Sequence, residues 1–410
     1  MHDTNRTGPQ QRAGTEPARL HYLDWLRVIA ILGVWLYHAS RPFMLTDSLI
    51  SNADKSTALT LVFLVFLGSM GMPLFFTMAG AGSWLALRRR SGRQFAVERV
   101  QRLLIPFVVG SLLLSPFQIY LEWLNKGWYQ GSFLGFLPVL VEDRLHSFVT
   151  RFSPTLFQSV GCHLWFLGYL FTFCLIALPL FLWLKGERGH KVIAWLGKLG
   201  ERRGGLLAFI LPIAAVRLSL QPFYPGYTDW TDFGYMFIYF LCGYMVYADE
   251  RLLQAIRRDE RLMLAVGLVS TLIMVVALVA LGGQEWVKDP STPGFYFGWG
   301  LVAVNGWCWT LFALSLGMRI LNFRNRWLDY GQTMIVPFYV LHQPPVIVIA
   351  FYVVQWDAGI LVKLPVVVLG SFVATIGLCE LVRHIKPAQP LLGMKPRRTG
   401  AGAQAVDSAG

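Results

Sequence analysis

Charge is scarce in this 410-residue sequence: Asp, Glu, Lys and Arg together make up 14% of it, against roughly 25% in soluble domains. Hydrophobic residues reach 55%, so a water-soluble globule is excluded. Cysteine is also rare. Cys162, Cys174, Cys242, Cys308 and Cys379 all lie in or beside apolar runs, and none forms a close pair or a ligand cluster. That excludes a disulfide scaffold and a CxxC-type metal or redox site, and leaves the cysteines as small packing residues. HExxH, GxSxG, GxxxxGK[ST] and GxGxxG patterns are all missing. With them go the metalloprotease helix, the hydrolase nucleophile elbow and the nucleotide-cradling loops of soluble folds. No metal is expected.

What the sequence has in quantity is long apolar runs, each able to cross about 30 Å of hydrocarbon. Ten are expected as spans: 23–43, 58–86, 103–124, 163–184, 205–222, 231–248, 262–282, 296–318, 331–354 and 360–384. A transmembrane barrel would instead alternate apolar and polar residues over segments of about ten. The fold class is therefore an all-α polytopic membrane protein. Its net charge of +13 is not a nucleic-acid footprint, because the basic residues are sorted by side. With the N-terminus inside, 27 of them fall in the tails and alternate loops on that face, and the opposite loops hold only Arg41, Lys55, Lys126, Arg144, Arg151 and Lys288. This positive-inside asymmetry puts both termini in the cytoplasm. The first span reads as a retained anchor, since it carries Arg27 and lacks the short core and cleavage site of a signal peptide.

Residues 1–18 and 387–410 read as disordered cytoplasmic tails, poor in apolar periodicity, around one transmembrane domain over 19–386. Between spans the connections are short except for an external stretch from about 125 to 162, rich in Trp, Tyr and Phe. It is expected to lie over the outer face, with short interfacial helices, either as a cap on an acceptor entrance or as an ordinary aromatic belt.

Polar residues inside spans cost on the order of 2.5–3.5 kcal/mol each on insertion scales and are functional candidates by default. The first span, DWLRVIAILGVWLYHASRPF, holds Arg27 and His38. Eleven helical steps return the second residue to within about 20° of the first, roughly 16 Å further along the axis. The two side chains share a face, a cation near one membrane surface and a proton-transfer group deeper in. Snorkelling of the arginine and a helix-to-helix hydrogen bond from the histidine are the bland alternatives. Asp24, three residues before Arg27, is in range to orient its guanidinium or simply to favour the first helical turn. His38 suits general-base work on a hydroxyl.

Arg99 and Arg102, spaced i, i+3 at the mouth of the third span, offer fixed forks to a phosphate-bearing ligand or to anionic lipid head groups. His163 and Trp165 open the fourth span in HLWFLGYL, and His342 lies midway through the ninth in FYVLHQPPVIV. Arg217, Lys363 and Glu380 are explained by snorkelling, though Arg217 could also face an aqueous cavity and meet an anionic acceptor.

These pieces together resemble the bacterial membrane acyltransferase-3 family. The matching segments are LDWLRVIAILGVWLYH, PLFFTMAGAGSWLAL, FAVERVQRLLIPF, HLWFLGYL and FYVLHQPPVI, in one order within a ten-span plan over about residues 20–385. The resemblance implies transfer of an acyl group, acetyl or succinyl, from cytosolic acyl-CoA to a hydroxyl of an extracytoplasmic carbohydrate-type acceptor. It implies that Arg27 and His38 are essential and that Arg99 and Arg102 serve the CoA side. It places the protein in the cell inner membrane and is similar to the glucan-modifying, succinyl-transfer branch. On this reading Asp24, Arg27 and His38 form the catalytic group, Arg99 and Arg102 bind acyl-CoA, and His163, Trp165, His342 and Arg217 face the acceptor. Transfer is either direct or through an acyl-histidine. The rival is a transporter or flippase using the same charged stripe, which should show two related halves with broken spans. A membrane scaffold leaves the histidines unexplained. Acceptor, acyl group and oligomeric state are not legible in the sequence.

Overall fold

The computed structural model describes residues 20–63, 69–150, 153–280 and 287–394. Among them there are helices and no strands. The first seven helices are α1 (His21–Ser40), α2 (Thr57–Phe63), α3 (Ser69–Leu87), α4 (Gly92–Arg99), α5 (Ile105–Leu113), α6 (Ser115–Asn125) and α7 (Phe133–Thr150). Next come α8 (Thr155–Gly161), α9 (Trp165–Leu184), α10 (Glu187–Glu201), α11 (Ile210–Leu220), α12 (Trp230–Ala248) and α13 (Glu250–Arg258). The chain continues through α14 (Glu260–Ala280), α15 (Pro293–Ile320), α16 (Arg326–Leu341), α17 (Gln343–Val353), α18 (Ile360–His384) and α19 (Ala388–Leu391).

Among the described residues, five stretches are long and apolar enough to cross a membrane: Met70–Leu87, Thr155–Leu184, Glu260–Ala280, Pro293–Ile320 and Ile360–His384. Two bent pairs raise the number to seven when each counts as one span. Gly92–Leu113 meets Ser115–Asn125 at 42°, and Arg326–Leu341 meets Gln343–Val353 at 51°. Both breaks have a sequence cause. Pro116 opens α6, and Pro344 and Pro345 open α17, where each ring removes a donor and clashes with the preceding turn. The chain is a multi-pass helical membrane protein. Expected tail residues 1–18 and 395–410 lie outside the described residues, as do 64–68 within the expected second span. Ala388–Leu391 forms a short helix packed on α5.

Helix α1 is central: it packs against α3, α15, α16, α17 and α18. Beside it, α3 and α12 approach backbone to backbone. A Cβ on Gly80 would run into the α12 backbone at Phe240 and Tyr244, and one on Gly243 would strike Thr77. Small residues that let helix backbones meet are how membrane helices gain packing without a hydrophobic drive between them. Next to that crossing the rings of Phe181 and Tyr244 stack, centroids 3.7 Å apart.

Polar residues within the bundle are paired rather than snorkelled. Lys363, 5% exposed, donates to Asn52 Oδ1 (3.1 Å) and Val354 O (3.0 Å). Glu380 accepts from Tyr330 (2.9 Å) and Arg383 (3.1 Å). Four of the cysteines are fully buried among apolar neighbours, as packing residues should be. The aromatic stretch from 125 to 162 does contain helices, α7 and α8. Phe136, Ile119 and Leu140 form a small separate core there, with Tyr120, Trp123 and Tyr129 packed on it. Phe152 of that stretch lies outside the described residues.

Between the α12–α14 connection and α10 is a tight polar clamp. Arg251 reaches Asp249 (2.8 Å), Glu201 (2.7 Å) and the carbonyl of Ala194 (2.8 Å). Arg258 holds Asp259 and the carbonyls of Gly200 and Arg202. Hydrogen bonds from Arg251 and Arg258 hold the Asp249 and Asp259 carboxyls below the usual aspartate range.

Candidate active site

Along α1, positions 27, 31, 34 and 38 fall on one face by helical spacing. The C-terminal end of that face carries a cluster of three histidines. The rings of His38, His163 and His342 converge, with centroids 5.3 Å apart for His38–His342, 4.9 Å for His163–His342 and 6.4 Å for His38–His163. Each arrives from a different part of the chain. His38 comes from the last turn of α1. His163 comes from a short 3-10 turn, Cys162–Leu164, between α8 and α9. His342 is the hinge residue between α16 and α17.

Local backbone chemistry sets two of these histidines in place. Cys162 has φ 50° and ψ −119°, a conformation that glycine favours and that costs an L-residue energy. It ends α8 and swings His163 inward. Nε2 of His163 faces the carbonyl of Val340 at 3.1 Å, and Tyr339 Oη donates to the carbonyl of His163 at 2.5 Å. The two segments are therefore tied reciprocally. Nδ1 of His342 faces the carbonyl of Tyr339 at 2.7 Å. A carbonyl only accepts, so each of these ring nitrogens carries its proton, and in a neutral ring the other nitrogen is a bare lone pair. Those other atoms, His163 Nδ1 and His342 Nε2, are buried with no hydrogen-bond partner among the described residues.

A cavity of about 650 Å³ opens beside the cluster. His38, His163, Trp165 and Arg217 all line it, so four of the residues singled out in the sequence share one chamber. His342 does not line it and stands behind His38 and His163. Trp165 sits edge-on to Tyr169 and Tyr227, at 5.0 and 5.8 Å. Arg217 is almost enclosed. It pairs with Asp232 at 2.6 Å and lies over the rings of Tyr235 and Trp299, at 5.0 and 4.2 Å. This is a buried ion pair between consecutive helices, not a snorkelling arginine. Asp232 was not singled out in the sequence, although an isolated charge within a span is a signal that could have found it. Thr228, at φ 57°, donates its backbone N–H to the other Asp232 oxygen at 2.9 Å. Arg41 and Asp47, joined side chain to backbone carbonyl, and Gln343 complete the wall. None of these last three carries a sequence pattern that marks it.

At the other end of the same helix face lies an arginine cluster. Arg27 donates to Asp24 Oδ1 at 3.0 Å and to the carbonyl of Met78 at 3.3 Å, and Gln332 donates to the other Asp24 oxygen at 3.0 Å. Gly82 leaves the space that the Arg27 guanidinium fills. Arg27, Arg99 and Arg102 are near enough to repel one another. Arg99 closes α4, stacked 4.4 Å over Phe95, and Arg102 sits in a π-helical turn, Val100–Leu104, 3.5 Å from Glu98. Such turns recur where a helix must re-aim side chains. Nε of both arginines is buried without a partner among the described residues. Tyr22 and Tyr247, hydrogen-bonded at 2.9 Å, lie beside this cluster within reach of the Arg27 and Arg257 charges.

The structure thus groups the sequence-derived residues into two sites rather than one. Arg27, Asp24, Arg99 and Arg102 do not line the histidine cavity. Among the described residues, no group of three His, Cys, Asp or Glu side chains is arranged to hold a metal ion.

Comparison with known proteins gives one answer at the level of family. No curated protein and no solved structure matches the chain. Residues 20–384 match the family model described as an acyltransferase domain, nearly the whole described length and both clusters with it. The chain belongs to the acyltransferase-3 family and is a membrane acyltransferase.

Proposed function

We propose that this protein moves an acyl group, acetyl or succinyl, from cytosolic acyl-CoA to a hydroxyl of an extracytoplasmic carbohydrate-type acceptor. The proposed setting is the inner membrane, with ten spans and both termini cytoplasmic, as the sorting of basic loops supports. The observation that carries the reading is that one face of α1 joins an arginine cluster to a histidine-lined cavity. CoA phosphates would rest on Arg99, Arg102 and Arg27, where guanidinium forks suit a polyanion. The pantetheine arm spans the roughly 16 Å between positions 27 and 38 and delivers the thioester to His38. An acceptor hydroxyl enters the cavity, with Trp165 and Arg217 in its wall. His38 takes the hydroxyl proton, the oxygen attacks the thioester carbonyl, and the C–S bond breaks. The CoA thiolate leaves and is protonated, giving an ester and free CoA. The glucan-modifying, succinyl-transfer branch is the specific setting proposed. Family membership favours this over transport by the same charged stripe.

The test is release of free CoA from acyl-CoA by purified protein in liposomes, with cell-envelope extract as acceptor. Turnover that is lost in His38→Ala and requires higher acyl-CoA in Arg99→Ala is expected. Absence of acyl-CoA binding and turnover in the wild type would overturn the reading.

A further inference from the structure

A general base in an enzyme is commonly oriented by a third group, which accepts its distal N–H and so fixes which ring nitrogen is free to take a proton. We infer that His342 is the positioning residue for His38, and that its Nε2 lone pair accepts the N–H on the side of the His38 ring away from the substrate. The inference rests on the proposed base role of His38.

Four observations converge on it. First, the tautomer of His342 is set by its own backbone. Nδ1–H is committed to the Tyr339 carbonyl at 2.7 Å, so Nε2 is left as an acceptor. Second, that Nε2 is buried and has no partner among the described residues, in a side chain only 1% exposed. A bare acceptor in such a place keeps an unrecovered desolvation cost unless something donates to it. Third, the neighbouring donor-capable ring is at the right separation. Two imidazoles joined by an N–H···N bond of ~2.9 Å have centroids roughly 5 Å apart, and His38 and His342 are 5.3 Å apart. His163 is further from His38, at 6.4 Å. Fourth, His38 lines the cavity and His342 does not, so His342 acts on the reaction through a neighbouring ring rather than by touching the acceptor.

The consequence is a chain in which each member fixes the next. The hinge at His342 is held by the Pro344–Pro345 break, the hinge fixes the His342 tautomer, and His342 fixes the tautomer of His38. When His38 takes the acceptor's proton it becomes a double donor, and the cation's second N–H already has a seated acceptor.

Two substitutions separate this role from simple packing. His342→Phe keeps an aromatic ring of similar size and removes the acceptor; His342→Gln keeps an acceptor oxygen on a flexible stem. The expected result is a fall in kcat of roughly 100-fold for His342→Phe, with KM for acyl-CoA unchanged within about twofold, and partial recovery in His342→Gln. Nitrogen-15 NMR of labelled histidine should show a single His38 tautomer in the wild type and a mixture in His342→Phe. A His342→Phe enzyme with wild-type kcat overturns the inference, as does equal loss in both variants with the His38 tautomer unchanged. His38→Ala is run in parallel. If it retains turnover, the base reading itself fails; if it is inactive while His342→Phe is normal, only the positioning role fails.

Discussion

The two ends of α1 are built on opposite principles. At the C-terminal end three imidazole rings meet and two of them are tied down: His163 and His342 each give a proton to a backbone carbonyl, and the segments carrying them are cross-linked through Tyr339. At the N-terminal end the groups are cationic and keep spare donors, since Nε of Arg99 and of Arg102 is buried without a partner among the described residues. Arg27 leans on Asp24, and Arg102 rests loosely on Glu98 at 3.5 Å. Rigid neutral groups suit a reaction in which one proton must move at a fixed place. Mutually repelling arginines with spare donors suit capture of an anion, which relieves the repulsion. A single helix face carrying both is a physical route for joining a donor on one side of a membrane to an acceptor on the other.

That contrast can be broken from either end. The largest effect is expected from His38→Ala, which should lower acyl transfer by about 10²–10⁴, the usual worth of a positioned base, without loss of membrane insertion; CoA release reads it. Second is Arg217→Gln. It leaves the Asp232 carboxylate without its ion-pair partner, and breaking a buried pair costs on the order of 3–5 kcal/mol. Thermal unfolding in detergent should shift accordingly, and Arg217→Gln with Asp232→Asn should recover part of the loss. Third, Arg99→Ala and Arg102→Ala should each raise KM for acyl-CoA roughly 10- to 100-fold while sparing kcat, since charge-assisted bonds contribute about 1.5–3 kcal/mol.

The smallest effect belongs to the α10–α13 clamp, which touches neither site. Its Asp249 and Asp259 are held below the ordinary aspartate range by hydrogen bonds from Arg251 and Arg258. Depressed carboxyl pKa values add stability that is complete above about pH 4 and is lost as pH falls through the lower folded values. Hydrogen exchange in α10 and α13 should therefore rise below about pH 4 and not between pH 5 and 8. The Arg251 side chain is 36% exposed, so the change should be modest.

Much of this was legible in the sequence because it depends on spacing along one helix. Arg27 and His38 share a face for a reason that needs only 100° per residue. The hinge at His342 was visible as Pro344–Pro345. What could not be read was the meeting of His38 with His163 and His342, which lie 125 and 304 positions further on. Their convergence depends on the strained turn at Cys162 and on three helix packings, and neither leaves a periodic mark. The Arg217–Asp232 pair was half-legible, since Arg217 was in view with snorkelling as its explanation but Asp232 was not singled out. The separation of the arginines from the cavity also comes only from packing, with Ile31 buried on the shared face between Arg27 and the cavity.

The central claim is this division of labour along α1, and steady-state acyl-CoA kinetics on His38→Ala and Arg99→Ala side by side test it most directly. The account predicts that the first loses kcat with little change in KM and the second gains KM with little change in kcat. Wild-type kcat in His38→Ala, or the same parameter moving in both variants, would contradict it.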